Sequence, residues 1–154
     1  MTPHTLSAPG RLLAPVHALF ARLPDDLLLL MARLFPAAIF FQSGRTKVEG
    51  FALSESAVFL FQEEYRLPLL DPTFAATLAA VSEHLFPLLL VLGFCTRLSA
   101  LALLGMTAVI QIFVYPDAWA THGVWAVGLL WVLAKGPGAW SLDRALGIDG
   151  MGPR

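Results

Sequence analysis

Four apolar segments, each close to the length of a bilayer-spanning helix, dominate this chain and limit what it can fold into. They run over residues 27–44, 74–95, 98–115 and 119–136. A helix needs about 20 mostly apolar residues to cross the hydrocarbon core of a membrane. Hydrophobic residues make up 57% of the chain and charged residues 14%, against about 45–50% and about 25% in soluble domains. The sequence therefore predicts an all-α, polytopic membrane protein folded as a four-helix bundle.

The segments between these spans give the domain organisation. We expect the membrane domain to cover residues 27–147, with one long connection at 45–73 and a C-terminal tail at 148–154. The apolar stretch "AVFLF" in the long connection is too short to span, which favours a helix lying against the bundle. Residues 1–26 contain "LLAPVHALFARL", which predicts either an amphipathic helix on the membrane surface or a mobile tail.

The distribution of basic residues predicts an orientation. With four spans, both termini lie on the same side of the membrane. That side carries six Lys and Arg residues and the opposite side carries three. The six are Arg11, Arg22, Arg97, Lys135, Arg144 and Arg154, and the three are Arg45, Lys47 and Arg66. Because cytoplasmic segments carry the excess of Lys and Arg, both termini are predicted to be cytoplasmic.

Glu83 is the candidate catalytic residue, because it lies in the middle of the second span. A charge at that depth costs at least ~2.5–3.5 kcal/mol, so the side chain should face the bundle interior and have a partner. Arg33, in the first span, is the predicted partner. The pair could simply fix the helix register, or Glu83 could belong to a redox, proton-transfer or ligand site. The sequence leaves both readings open.

Other polar residues could contribute to a ligand site or to charge pairing around Glu83. His84 follows Glu83 directly but points about 100° away from it around the helix. The remaining candidates come from the other spans and their outer ends. They are Gln42, Lys47, Gln111 and His122.

Several functional classes are excluded or lack support. The net charge of −1 argues against nucleic-acid binding, which requires a basic face. Cys95 is the one cysteine of the sequence, so a disulfide within the chain and a multi-cysteine metal site are excluded. The sequence has no glycine-rich phosphate loop and no nucleophile elbow, and no metal ligands are predicted.

Three sequence pieces in order resemble the DoxX family of small four-helix bacterial membrane proteins. They are "ARLFPAAIFFQSGRTKVEGF", "SEHLFPLLLVLGFCTRLSALALLGM" and "KGPGAWSLDRALG", within residues 27–147. The positions that carry the resemblance are Arg33, Gly44, Lys47, Glu83, Gly93, Thr96, Arg97, Gly136, Gly138, Ser141 and Asp143.

This resemblance implies a protein of the bacterial inner membrane and a component of a membrane redox system. That system would be linked to quinone, as a possible cofactor, or to thiol or metal stress. The implied partners are the lipid bilayer and a membrane oxidoreductase or a second copy of the chain. The alternative is a non-enzymatic scaffold, a conduit for small solutes, or a helper in the maturation or export of a metal-binding peptide. Neither reading requires that the chain itself be an enzyme.

Overall fold

A computed structural model describes residues 8–149 of the chain, which are mainly helical. A short antiparallel hairpin, β1–β2, is the one sheet among these residues. The helices are α1 (Ala8–Phe20), α2 (Asp25–Arg45), α3 (Glu55–Leu60), α4 (Pro72–Leu92), α5 (Thr96–Val109), α6 (Trp119–Lys135) and α7 (Leu142–Ala145); β1 is Val48–Glu49 and β2 is Ala52–Leu53. Two five-residue π-helical turns, Phe61–Tyr65 and Ile110–Val114, extend α3 and α5.

Helices α2, α4, α5 and α6 form the predicted four-helix bundle, arranged as a closed ring. Helix α2 packs against α4 and α6, and α5 packs against the same two helices from the opposite side. The core between them contains Phe40, Leu90, Leu103 and Leu129. The predicted fold class is therefore confirmed, and each span end lies within three residues of its predicted position when the turn Ile110–Val114 is counted with α5.

The outer surface of the bundle is apolar, as expected for a membrane protein. Leu98, Leu101, Val124 and Val127 are each more than half exposed, and a soluble surface does not carry apolar area on this scale. Three helical stretches are long and apolar enough to cross a membrane: Asp25–Arg45, Pro72–Leu92 and Thr96–Val114. Helix α6 has 17 residues and is about 26 Å long, slightly less than the hydrocarbon thickness.

The two ends of the bundle differ in how they are covered. One end, here called the loop end, carries residues 46–71 and the connection 115–118. There, β2, α3 and the turn Phe61–Tyr65 fold back onto α4, and β1 pairs with β2. The other end, here called the terminal end, carries the start of α2, the turn 93–95 and the C-terminal segment 136–149. The predicted interfacial position of the N-terminal tail stays a prediction, and its residues 1–7 and residues 150–154 lie outside the described part.

Local signals set the ends of α4. The Asp71 carboxylate accepts a hydrogen bond from the Phe74 amide at 2.9 Å, and Pro72 occupies the first turn, where its missing N–H costs nothing. The helix ends at Gly93, whose φ of +67° suits glycine. A side chain there would also collide with its surroundings, because an added Cβ would lie 2.0 Å from Arg33 Nη1.

Candidate functional site

A buried ion pair joins the end of α2 to the middle of α4. Lys47 Nζ lies 2.6 Å from Glu83 Oε2, and the two side chains are 6% and 3% exposed. Lys47 Nζ also donates to Ser43 Oγ at 3.0 Å and to the Ser43 carbonyl oxygen at 3.3 Å. These three bonds use all the donors of the ammonium group. The charge of Lys47 is thus held in place without help from water.

A close approach of two helices positions this pair. A Cβ at Gly44 would lie 3.0 Å from Glu83 Cβ and 2.9 Å from His84 Nδ1, so only glycine lets α2 and α4 pack this tightly. The chain then turns after α2, and Lys47 reaches back to the level of Glu83. The pair therefore depends on a helix contact as well as on its own charges.

The Lys47–Glu83 pair lies on the wall of an apolar cavity of about 460 Å³. This volume lies within the range of sites for small organic ligands, about 300–1,000 Å³. Most of the lining is apolar, and the polar side chains are few. The apolar residues come mainly from α2, α4, α5 and the loop end, and include Ile39, Phe40, Phe61, Leu78, Phe86, Met106, Val109 and Trp125; the polar side chains are Ser43, Lys47, Tyr65, Ser82, Glu83, Tyr115 and His122.

His122 provides a second polar point on the cavity wall. Its Nδ1 lies 2.7 Å from Gln111 Oε1, while Gln111 Nε2 donates to the Pro116 carbonyl oxygen at 2.6 Å. With the amide oriented this way, Nδ1 carries the proton and Nε2 of the neutral ring is an acceptor. The imidazole is 4% exposed and lies 4.9 Å, between ring centroids, from Trp125. A ligand hydroxyl in the cavity could donate to His122 Nε2.

Two tyrosines, Tyr65 and Tyr115, line the cavity at the loop end. The Tyr115 hydroxyl donates to Glu64, and the rings of Tyr115 and Tyr65 meet edge to face at 5.8 Å. The hydrogen bond to Glu64 raises the pKa of Tyr115 above its ordinary value, and burial raises the pKa of Tyr65. Both phenols therefore stay protonated throughout the physiological range.

Arg33 does not pair with Glu83, so this prediction was wrong. It lies 11 residues before Gly44 on α2, about 16 Å away along the helix axis. Its side chain is buried at the terminal end, where Nη2 donates to the Trp140 carbonyl oxygen at 2.6 Å. The Asp143 carboxylate supplies the nearby opposite charge. Glu83 pairs with Lys47 instead, because α4 is shifted toward the loop end relative to α2.

The other predicted site residues divide between the cavity and the bundle surface. Lys47, Glu83 and His122 line the cavity, and Gln111 orients His122. Gln42 is exposed on α2 and contributes nothing to the cavity. His84 points away from the cavity, with Nδ1 2.7 Å from the Ala80 carbonyl oxygen. Within residues 8–149, no three His, Cys, Asp or Glu side chains come together as metal ligands.

Sequence reasoning missed Tyr65 and Tyr115, the contact of Ser43 with Lys47, and the bonds that Asp143 makes to the start of α5. Ser43 precedes Lys47 by four residues, a spacing that could have suggested the contact. Asp143 accepts hydrogen bonds from the Cys95 and Thr96 amides, both at 2.8 Å. Nothing local in the sequence reveals a bond across 47 residues.

The fold and the site together define a polytopic helical membrane protein with a buried ion pair beside an apolar cavity. The chain belongs to the DoxX family, whose family model matches residues 28–116, more than half of the sequence. The matched region covers α4, the loop end and nearly all of α2, and it includes α5 with its π turn. Comparisons with curated proteins and with solved structures found no match.

Proposed function

We propose that this DoxX protein is a component of a bacterial inner-membrane redox system that binds a quinone-class molecule in the apolar cavity. The observation that carries the proposal is the position of Lys47–Glu83 on the cavity wall. A buried charge pair that only fixed a helix contact would not need a ligand-sized cavity beside it. Quinones combine an apolar ring with polar oxygens, and the lining offers matching apolar area and two separate polar points.

Each polar residue has a defined part in this proposal. A quinone oxygen would accept from Lys47 in place of the longest of its three bonds, the one of 3.3 Å to the Ser43 carbonyl. Glu83 would hold or release a proton at its carboxylate. His122 Nε2 would accept from a ligand hydroxyl, with Gln111 fixing the tautomer. A bound quinone supplies chemistry that takes up two electrons and two protons, and the electrons would come from a partner membrane oxidoreductase.

Extraction of bound lipophilic molecules tests this proposal. The protein would be purified in mild detergent, extracted with organic solvent, and the extract identified by mass spectrometry. We expect the wild type to retain a quinone and the Glu83→Gln variant to retain much less. Asp143→Asn is the matched control, because it makes the same acid-to-amide change at a buried carboxylate outside the cavity. Equal retention of quinone by all three proteins, or by none, would contradict the proposal.

The proposed orientation places both termini in the cytoplasm and the loop end on the periplasmic side. The excess of Lys and Arg at the terminal end supports it. A reporter fused after Arg154 should be active only as a cytoplasmic reporter, and one inserted near Ser56 only as a periplasmic reporter. The opposite pattern would reverse the orientation and put the cavity in the cytoplasmic half of the membrane.

A further inference from the structure

We infer that the ligand enters the cavity sideways from the bilayer, through a gap between α4 and α5 at Gly105. The inference rests on the proposed function, because it concerns how the same cavity is filled. This inference adds an entry route to the proposed function. The route implies a ligand that dissolves in the membrane. The polar head of this ligand would enter the cavity, and its apolar tail could remain in the lipid.

The rim of the cavity on this side consists of exposed apolar residues. Leu78 on α4 is 52% exposed and Val109 on α5 is 41% exposed, and both line the cavity. Gly105 lies one turn before Val109, also lines the cavity, and is exposed. A Cβ at Gly105 would meet no atom within 4 Å. The absence of a side chain at this position leaves the gap open.

The rim residues lie within helices that can span the membrane, so their position in the membrane determines whether they contact lipid or water. Leu78 belongs to the stretch Pro72–Leu92, and Gly105 and Val109 belong to Thr96–Val114, both long and apolar enough to cross a membrane. Exposed apolar residues within a spanning helix contact lipid rather than water. The gap at Gly105 therefore opens into the hydrocarbon region.

Side-chain contacts cover part of the cavity toward the loop end, where the lining residues Leu70 and Tyr115 are 43% and 42% exposed. The turn Phe61–Tyr65 and the turn Ile110–Val114 lie against each other, and Tyr115 links them by donating to Glu64. Tyr65 and Tyr115 both line the cavity, and their rings meet edge to face. A ligand coming from water would have to pass these contacts, whereas one coming from lipid meets only the apolar rim.

The positions of the polar groups fix the direction of entry. Lys47 and Glu83 are only 4% and 3% exposed, whereas Leu78 on the rim is 52% exposed, so a molecule passing the rim with its polar end first arrives at the ion pair. Its apolar tail then occupies the gap and continues into lipid. Binding should consequently depend on the head group and little on the length of the tail.

Thiol labelling in proteoliposomes tests the route without requiring the natural ligand. The reporter thiol is Ser82→Cys, a nearly isosteric change on the cavity wall, in a Cys95→Ser background. Two reagents with the same reactive group are compared: N-phenylmaleimide, which dissolves in the bilayer, and a sulfonated maleimide, which does not. We expect rapid labelling by the first reagent and slow labelling by the second.

Closing the gap should slow the lipid-soluble reagent selectively. Gly105→Leu should reduce its labelling rate about tenfold, equivalent to roughly 1.4 kcal/mol of added barrier. Gly123→Leu is the matched control, because a Cβ at this glycine of α6 also meets no atom within 4 Å and Gly123 does not line the cavity. Equal rates in the two leucine variants, or faster labelling by the sulfonated reagent, would overturn the lateral route.

This result is separable from the test of the proposed function. Labelling is measured on protein stripped of bound lipophilic molecules by extended detergent washing before reconstitution, so the rate reports access to the cavity and not its occupancy by quinone. A gap demonstrated by labelling, together with no quinone in the extracts, would refute the proposed function and keep the route. Quinone retention with no effect of Gly105→Leu would refute the route and keep the proposed function.

Discussion

The two ends of the bundle both bury charged side chains, but they use them differently. At the terminal end, Arg33 and Asp143 bind backbone groups: Arg33 donates to the Trp140 carbonyl oxygen and Asp143 accepts from the start of α5. At the loop end, Lys47 and Glu83 bind each other directly and border a cavity. The comparison separates charges that hold the chain together from charges placed where a ligand can reach them.

The terminal end is closed by the chain itself. The C-terminal segment crosses it, with the Ala139 amide donating to Asp26 at 2.7 Å and the Asp143 amide donating to the Gly93 carbonyl oxygen at 2.8 Å. Gly93 leaves no room for a side chain beside Arg33. These contacts account for the sequence pattern around residues 136–143 without any ligand.

Breaking the ion pair at the loop end should have the largest effect on stability. Glu83→Ala leaves the Lys47 ammonium buried without its partner, which costs about 3–5 kcal/mol. Adding Lys47→Met should recover much of this loss, because the unpaired charge is then removed. The measurement is the free energy of unfolding in mixed micelles for both single variants and the double variant. Additive losses would show that the two residues do not interact in the folded protein.

Removing the cap at the terminal end should have a smaller effect. Asp143→Ala takes away the acceptor of two backbone N–H groups, and hydrogen bonds to a charged group contribute about 1.5–3 kcal/mol each. We expect a loss of about 2–3 kcal/mol in total, since water at the membrane surface can replace part of the bonding. Unfolding in micelles would measure it, and quinone retention should be unaffected. A loss of quinone would mean that the two ends are coupled.

The tyrosine contact at the loop end should contribute least to stability. Tyr115→Phe removes the bond to Glu64, which lies at an exposed position, so the cost should be below about 1.5 kcal/mol. Local opening should nevertheless increase. Amide hydrogen exchange in residues 61–65 should become faster in the variant, and unchanged exchange would show that the hydroxyl does not hold the loop end closed.

The same contact predicts a pH dependence at the alkaline end only. The pKa of Tyr115 is raised in the folded protein, so its contribution is fully present below the ordinary tyrosine value of about 10 and is lost as the pH rises toward the folded value. Exchange in residues 61–65, corrected for its intrinsic pH dependence, should be constant from pH 6 to 9. Faster exchange in residues 61–65 within that pH interval would show that a group other than Tyr115 controls the opening of this segment.

The positions of the helices along the chain could be predicted from the sequence, but the offset of neighbouring helices along the bundle axis could not. Apolar length and breaking residues placed all four spans to within three residues. The pairing of Arg33 with Glu83 assumed spans at equal depth. Gly44 instead packs against Glu83, which shifts α4 toward the loop end and brings Lys47 within reach. The depth at which two helices contact depends on side-chain packing, which hydropathy does not report.

The cavity also could not be predicted from the sequence. Its wall combines residues of α2, α4, α5 and α6 with a loop and two π turns, and the π turns have no sequence signature that separates them from an ordinary helix. Tyr65 and Tyr115 meet across 50 residues. Glu83 was identified because an ionisable residue within a spanning helix is already costly, whatever its neighbours, and His122 because it lies near the outer start of the fourth span.

The most direct test of the central claim compares quinone binding by two variants, one with a substitution at the loop end and one with a substitution at the terminal end. The probe is 2-methyl-1,4-naphthoquinone, and the signal is the fluorescence of Trp125, which lines the cavity, after Trp119, Trp131 and Trp140 are replaced by phenylalanine. Titrations in nanodiscs would compare Glu83→Gln with Asp143→Asn. We predict that Glu83→Gln weakens binding about tenfold or more, at least roughly 1.4 kcal/mol, while Asp143→Asn leaves the Kd unchanged. Equal dissociation constants for the two folded variants would contradict the assignment of the loop-end ion pair as the ligand site.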